Sequence, residues 1–113
     1  MIEIKSKREI ELMREACKIA NLTQKEVEKH IKPGVSTFEL DKVAENFIRS
    51  QNAIPAQKNY PHPEKGIAPF PATLCVSVND VIIHGIPSKK EILKDGALAA
   101  DIDLTDSQLD KFE

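Results

Sequence analysis

Pro55, Pro61, Pro63, Pro69 and Pro71 crowd one short stretch, with Gly66 among them. Proline fixes φ and removes a backbone donor, so no regular helix or inner strand survives across residues 55–71. This stretch is therefore a loop. It separates a region of helical periodicity from a region of short, strand-like runs.

Before the loop, Ser6 and Glu9 have capping-box spacing. Ile10, Met13, Cys17, Ala20, Val27 and Ile31 follow at a roughly helical period. The pattern predicts a helix from about Lys7 to His30, ended by Lys32-Pro33-Gly34, where glycine can take a positive φ. Ser36 and Glu39 repeat the capping box. Leu40, Val43, Ala44, Phe47 and Ile48 then form one apolar stripe, predicting a second helix over Thr37–Ser50. Both stripes are expected to face the core.

After the loop, Thr73–Asn79 and Val81–His84 read as strands around a turn-prone Asn79-Asp80. The β-branched Ile82 and Ile83 suit a pleated surface. Lys94-Asp95-Gly96 signals a turn, and Ala97–Leu104 is apolar enough for a third strand. From Thr105 the sequence turns polar, so residues 105–113 are expected to form a disordered tail.

The chain has 113 residues, 41% apolar and 30% charged, which suits one soluble globular domain. A net charge of −2 gives no reason to expect nucleic acid or an anionic membrane as partner. No run is long enough to span a bilayer. The N-terminal residues lack the apolar core of a signal peptide. Cys17 and Cys75 make no disulfide framework and are expected to be free thiols in a reducing cytoplasm.

Three features could carry chemistry. His84 closes the second predicted strand, followed by Gly85-Ile86-Pro87, where the backbone turns and a ligand could approach. The alternative is a partly buried histidine closing a hairpin. Asp101 and Asp103, two apart on a strand, point the same way and supply hard oxygen donors for a divalent cation. The alternative there is a solvated acidic strand end. His62 reads as an exposed loop histidine.

Several words of the sequence, in order, sharpen this reading. Phe-Pro-Ala-Thr-Leu-Cys-Val-Ser-Val-Asn-Asp-Val-Ile-Ile-His-Gly-Ile-Pro (70–87) resembles the signature stretch of bacterial type I methionine aminopeptidases. Residues 4–16 resemble that family's opening helix. Residues 30–41 resemble its first turn and second helix, and Ala53-Ile54-Pro55-Ala56 and Leu93-Lys94-Asp95-Gly96 continue the match. The resemblance covers residues 1–96, and residues 97–113 depart from it.

The resemblance implies an α/β (α+β) fold: the N-terminal half of the pita-bread architecture over residues 1–104, with two helices covering a curved antiparallel sheet. It implies hydrolytic removal of the initiator methionine from nascent proteins with a small second residue. The partners would be nascent polypeptide N-termini, with neither nucleic acid nor membrane. The cofactor would be two divalent transition-metal ions (Co, Mn, Fe, Zn or Ni), held by two aspartates, a histidine and two glutamates. Asp103, within Ile102-Asp103-Leu104, is the metal ligand it implies here. Asp101 is the alternative, because an ungapped count from Gly96 lands between them. The remaining ligands are expected outside this chain.

His84 would contact the substrate at the scissile peptide and stabilise the tetrahedral intermediate. Tyr60, Phe70 and Cys75 would line the pocket for the methionine side chain, a thioether that favours aromatic contact. Ordinary core packing is the alternative for these three. Gln57 stands where the family often has a cysteine, and residues 61–69 look like an insertion.

Two further expectations compete. One is a truncated, non-catalytic fragment or pseudogene product of that family. The other is a creatinase- or prolidase-like module. The 113 residues alone are expected to be inactive and to bind metal weakly. As half of a larger domain they are also expected to leave Val76, Val78 and Ile83 on an exposed apolar face.

Overall fold

The computed structural model describes residues 2–79, 81, 85–90, 92, 93 and, for the backbone, 100–103. Its elements are α1 (Lys7–Glu28), α2 (Thr37–Ser50), β1 (Cys75–Val78) and β2 (Ala100–Asp103).

The first helix begins as its capping box requires. Ser6 Oγ accepts the Glu9 N–H, and the Glu9 side chain accepts the Ser6 N–H. It ends at Glu28, two residues earlier than the spacing predicts. There the His30 and Ile31 amides bond back three residues, to Val27 O and Glu28 O, tightening the last turn ahead of Pro33. Its buried face is Ala16, Ile19, Thr23 and Val27. Ile10, Cys17 and Ile31, expected on the apolar stripe, are exposed. The difference arises because a polar residue sits on the true stripe. Thr23 is fully buried with its hydroxyl donated to Ile19 O at 2.7 Å, which removes the penalty of burying it.

Gly34, at φ 94°, turns the chain into α2, and its N–H donates to Leu93 O. α2 matches its predicted bounds and buries Thr37, Leu40, Asp41, Ala44 and Ile48. The main core joins Val27 of α1, Leu40 and Ala44 of α2, and Leu74, Val76 and Val78 at and beside β1, together with Val35 and Leu93. A smaller cluster of Ile19, Ile48 and Ala53 lies toward the other end of the helix pair.

β1 and β2 pair antiparallel, with Cys75 opposite Asp103, Val76 opposite Ile102, Ser77 opposite Asp101 and Val78 opposite Ala100. β1 is shorter than the predicted Thr73–Asn79. Thr73 and Leu74 instead give their amides to a side chain, Asp41. Ala100–Asp103 falls within the predicted third strand, whose other residues lie outside the described ones. The second predicted strand is not seen at Val81, whose N–H closes a turn onto Val78 O, and residues 82–84 lie outside the described set. Of the expected curved antiparallel sheet, the described residues show one antiparallel pair. Val76 and Val78, expected on an open face, are 1% and 8% exposed because the helices cover them. The predicted tail, 105–113, lies outside the described residues.

Candidate functional site

The candidate site is organised around β1. Even-numbered residues of the strand enter the core, so Cys75 and Ser77 face the other way by the period of two. Both are nonetheless buried, at 4% and 7% exposure. Four segments are tied to this strand, at its second face, at its edges or through one another.

The first is the segment after α2. Gln57 is buried, and its Oε1 accepts the Cys75 thiol at 3.0 Å. Its backbone carbonyl accepts the Tyr60 N–H at 3.0 Å. Lys58 is tied back to α2 by an ion pair to Glu45 Oε1 at 2.7 Å. That bond, with Arg49 on the other oxygen, holds the Glu45 carboxyl below its ordinary range.

The second is the long loop. Phe70 N–H donates to Tyr60 O at 3.0 Å and Asn59 N–H to Phe70 O at 2.7 Å, so residues 61–69 are pinched off as an exposed excursion. Tyr60 and Phe70 become backbone neighbours despite their separation in sequence. Phe70 is half-buried, whereas Tyr60 is 65% exposed. His62 lies in the excursion, its Nδ1 accepting the Glu64 N–H. It is exposed.

The third is the Gly85–Ser88 segment. Val76 N–H donates to Gly85 O at 2.9 Å, and Gly85 N–H donates to Ser77 Oγ at 3.1 Å. A Cβ on Gly85 would collide with the Val76 carbonyl oxygen, so glycine is the residue that permits this approach. Three residues later, Ser88 is held to the first turn of α2. Its N–H donates to Thr37 Oγ1 at 2.8 Å, and its carbonyl accepts from the Thr37 hydroxyl and the Phe38 N–H. The His-Gly-Ile-Pro word is therefore anchored at Gly85 and again just past Pro87. His84 itself lies outside the described residues.

The fourth is β2. Because the Val76 amide points at Gly85, it points away from β2. Cys75–Asp103 and Ser77–Asp101 are then the pairs whose backbone groups face each other. Asp101 and Asp103 thus take the same parity in the ladder as Cys75 and Ser77. Among the described residues no group of three His, Cys, Asp or Glu comes together.

One residue was missed by sequence reasoning. Asp41, on α2, is 4% exposed, and its Oδ1 accepts the Thr73 N–H at 2.9 Å and the Leu74 N–H at 2.7 Å. Burial, helped by the nearby Glu45 charge, pushes its carboxyl above the ordinary value of 3.8, against the pull of the two amides and, more weakly, of Lys58. The signal was present: a carboxylate at the position between Leu40 and Ala44 sits on the buried stripe.

With this geometry in hand, comparison with known proteins identifies the lineage. The profile of metallopeptidase family M24 matches residues 11–105. The chain belongs to metallopeptidase family M24. It is 51% identical to methionine aminopeptidase 1 of Bacillus subtilis (strain 168) over 96 residues, 85% of this chain and 36% of that protein. This M24 chain thus spans about a third of the length of that curated relative. The crystal structure of methionine aminopeptidase from Rickettsia prowazekii superposes with a TM-score of 0.73 at 44% identity, covering 85% of this chain and 36% of that one. An Xaa-Pro dipeptidase from Bacillus anthracis superposes with a TM-score of 0.63 at 26% identity, covering 82% of this chain and 22% of that one.

Proposed function

We propose that this chain forms the substrate-binding part of a metal-dependent aminopeptidase that removes the initiator methionine from nascent proteins with a small second residue. The observation that carries the reading is the convergence on β1, with Gly85 clamped on one edge and Asp101 and Asp103 laddered on the other. Cys75 and Gln57 meet on the strand's second face. The greater likeness to methionine aminopeptidases than to the Xaa-Pro dipeptidase favours methionine as the residue removed.

On this reading residues 1–104 are the N-terminal half of a pita-bread domain whose sheet continues and curves beyond the β1–β2 pair, and 105–113 form a polar tail. Tyr60, Phe70 and Cys75 line the pocket for the methionine thioether. His84 hydrogen-bonds the substrate at the scissile peptide and stabilises the developing oxyanion. Asp103, with Asp101 as the alternative, supplies carboxylate oxygens to a pair of divalent transition-metal ions. The donor chemistry fits such ions, but two carboxylates do not complete their coordination. Bound ions of this kind polarise a carbonyl and lower the pKa of water. The residues of this chain hold the side chain and orient the peptide. The reaction belongs to the cytoplasm, where the thiols of Cys17 and Cys75 persist.

The test joins residues 1–104 to the part of the Bacillus subtilis relative that this chain does not match. The chimera should hydrolyse a Met-Ala-Ser peptide when supplied with manganese or cobalt. His84→Ala should lower kcat by about 10²–10³, the loss typical of one oxyanion donor, with metal stoichiometry unchanged. A folded, metal-loaded chimera that leaves Met-Ala-Ser intact would sink the proposal.

A further inference from the structure

The two walls of the candidate methionine pocket are both tied to one helix. Asp41 and Glu45 are one turn apart on α2 and belong to the same face. Asp41 holds Thr73 and Leu74, the residues that lead directly into Cys75. Glu45 holds Lys58, the neighbour of Gln57. The two segments then meet in the Cys75–Gln57 hydrogen bond. From Gln57 a backbone bond runs to Tyr60 and another from Tyr60 to Phe70.

From this we infer that Asp41 is a positioning residue for side-chain selection, fixing Cys75 against Gln57 through the Thr73 and Leu74 amides. The inference rests on the pocket reading under Proposed function. Its physical basis is that one buried oxygen accepts two consecutive amides, which fixes the peptide planes on both sides of Thr73. With those planes fixed, the entry of the chain into β1 at Leu74 is placed, and the pairing of Cys75 with Asp103 and the Val76–Gly85 hydrogen bond carry that placement on to Cys75. No ladder hydrogen bond to those two amides is needed, because the carboxylate takes the place of a neighbouring strand. Asp41 itself does not touch the substrate.

The experiment measures iodoacetamide labelling of both cysteines by peptide mass spectrometry, with and without L-methionine or L-norleucine. Cys17, exposed on α1, is an internal reference in the same molecule. In the wild-type chain methionine should slow labelling of Cys75 several-fold and leave Cys17 unchanged. Asp41→Asn keeps a carbonyl oxygen for both amides and should retain the protection. Asp41→Ala removes the acceptor and should abolish the methionine dependence while the helical circular dichroism persists. A purely stabilising role is separated by adding sucrose until Asp41→Ala matches the wild-type Tm. Protection that returns with stability would overturn the inference, as would loss of protection in Asp41→Asn. Should Asp41→Ala not fold, methionine titration of the wild type decides: the Thr73 and Leu74 amide resonances should shift together with Cys75, and unmoved amides would overturn the inference. Absence of methionine protection in the wild type would remove the pocket reading and the inference together. Protection equal in wild type and Asp41→Ala would remove the inference alone.

Discussion

At the scale of single residues, the neighbours Asp41 and Thr73 present opposite cases of burying a polar group. The Asp41 carboxylate is desolvated but satisfies two buried amides. Truncating it to alanine leaves both donors orphaned, at about 1–3 kcal/mol each. Asp41→Ala should therefore lower stability by about 2–6 kcal/mol in urea unfolding, and Asp41→Asn by much less. A pH series adds a signed prediction. The folded carboxyl titrates above 3.8, so the native state retains a proton there that the unfolded chain has released. This contribution is full below 3.8 and is lost as pH rises through the folded value. The stability of Asp41→Asn relative to wild type should accordingly increase with pH across that window. A difference that stays flat with pH would refute the assignment of burial as the dominant cause. Thr73 is the reverse case: its hydroxyl is buried without a hydrogen-bond partner among the described residues. Thr73→Val has nearly the same shape and removes that unpaired group, so it should stabilise by about 1 kcal/mol. Unfolding midpoints for the two proteins decide the sign.

At the scale of elements, the helices were legible because their signals are local. Ser6 with Glu9 and Ser36 with Glu39 mark the starts, and both helices begin there, the first with the full reciprocal box and the second with Ser36 Oγ accepting the Glu39 N–H. The register of the α1 stripe was less legible. Thr23 looks polar in sequence and becomes an inner residue once Ile19 O satisfies it, while Cys17 looks apolar and lies outside. Strand content depended on partners remote in sequence, which a periodicity of two cannot name. β1 is cut short because a helix carboxylate, not a strand, takes the amides of Thr73 and Leu74. Of the candidate site, the His-Gly-Ile-Pro word and Cys75 could be read directly, but the contacts that gather them could not. Ser77, Thr37 and Ser88 carry no motif of their own, yet they anchor Gly85 and the chain beyond Pro87. The Gly85 contact yields its own prediction. Gly85→Ala forces a methyl group into the Val76 carbonyl and must push this segment off β1. Overpacking of this kind costs about 1–3 kcal/mol. The affected amides are Val76 and Gly85, whose hydrogen exchange should accelerate while the α1 amides stay protected. Unchanged exchange at both would show that the two backbones do not approach as closely as described.

At the scale of the whole molecule, folding and metal binding are expected to be separable. The main core runs from Val27 through Leu40 and Ala44 to Leu74, Val76 and Val78, with the Asp41 carboxylate buried beside it on two backbone amides. The strand expected to need a second half-domain is already covered by helices on one side and by Gln57 and Gly85 on the other. Cooperative unfolding should then occur without metal. The ligand count gives the complementary expectation. Among the described residues no three candidate ligands converge, and the chain spans 36% of the Bacillus subtilis relative's length. Asp101 and Asp103 alone should bind manganese no more tightly than the weakest natural oxygen-ligand sites, with Kd on the order of 10⁻⁴ M. At 1 mM manganese such a site stabilises the native state by about 1.4 kcal/mol. The urea midpoint of the 113-residue chain should therefore rise by at most about 1 M from EDTA to 1 mM manganese. Asp103→Ala should erase what difference there is, or Asp101→Ala if that residue holds the ligand position. Calorimetric titration supplies the independent readout. A chelator that abolishes cooperative unfolding, or two tight sites in the titration, would mean that these residues complete a metal centre by themselves.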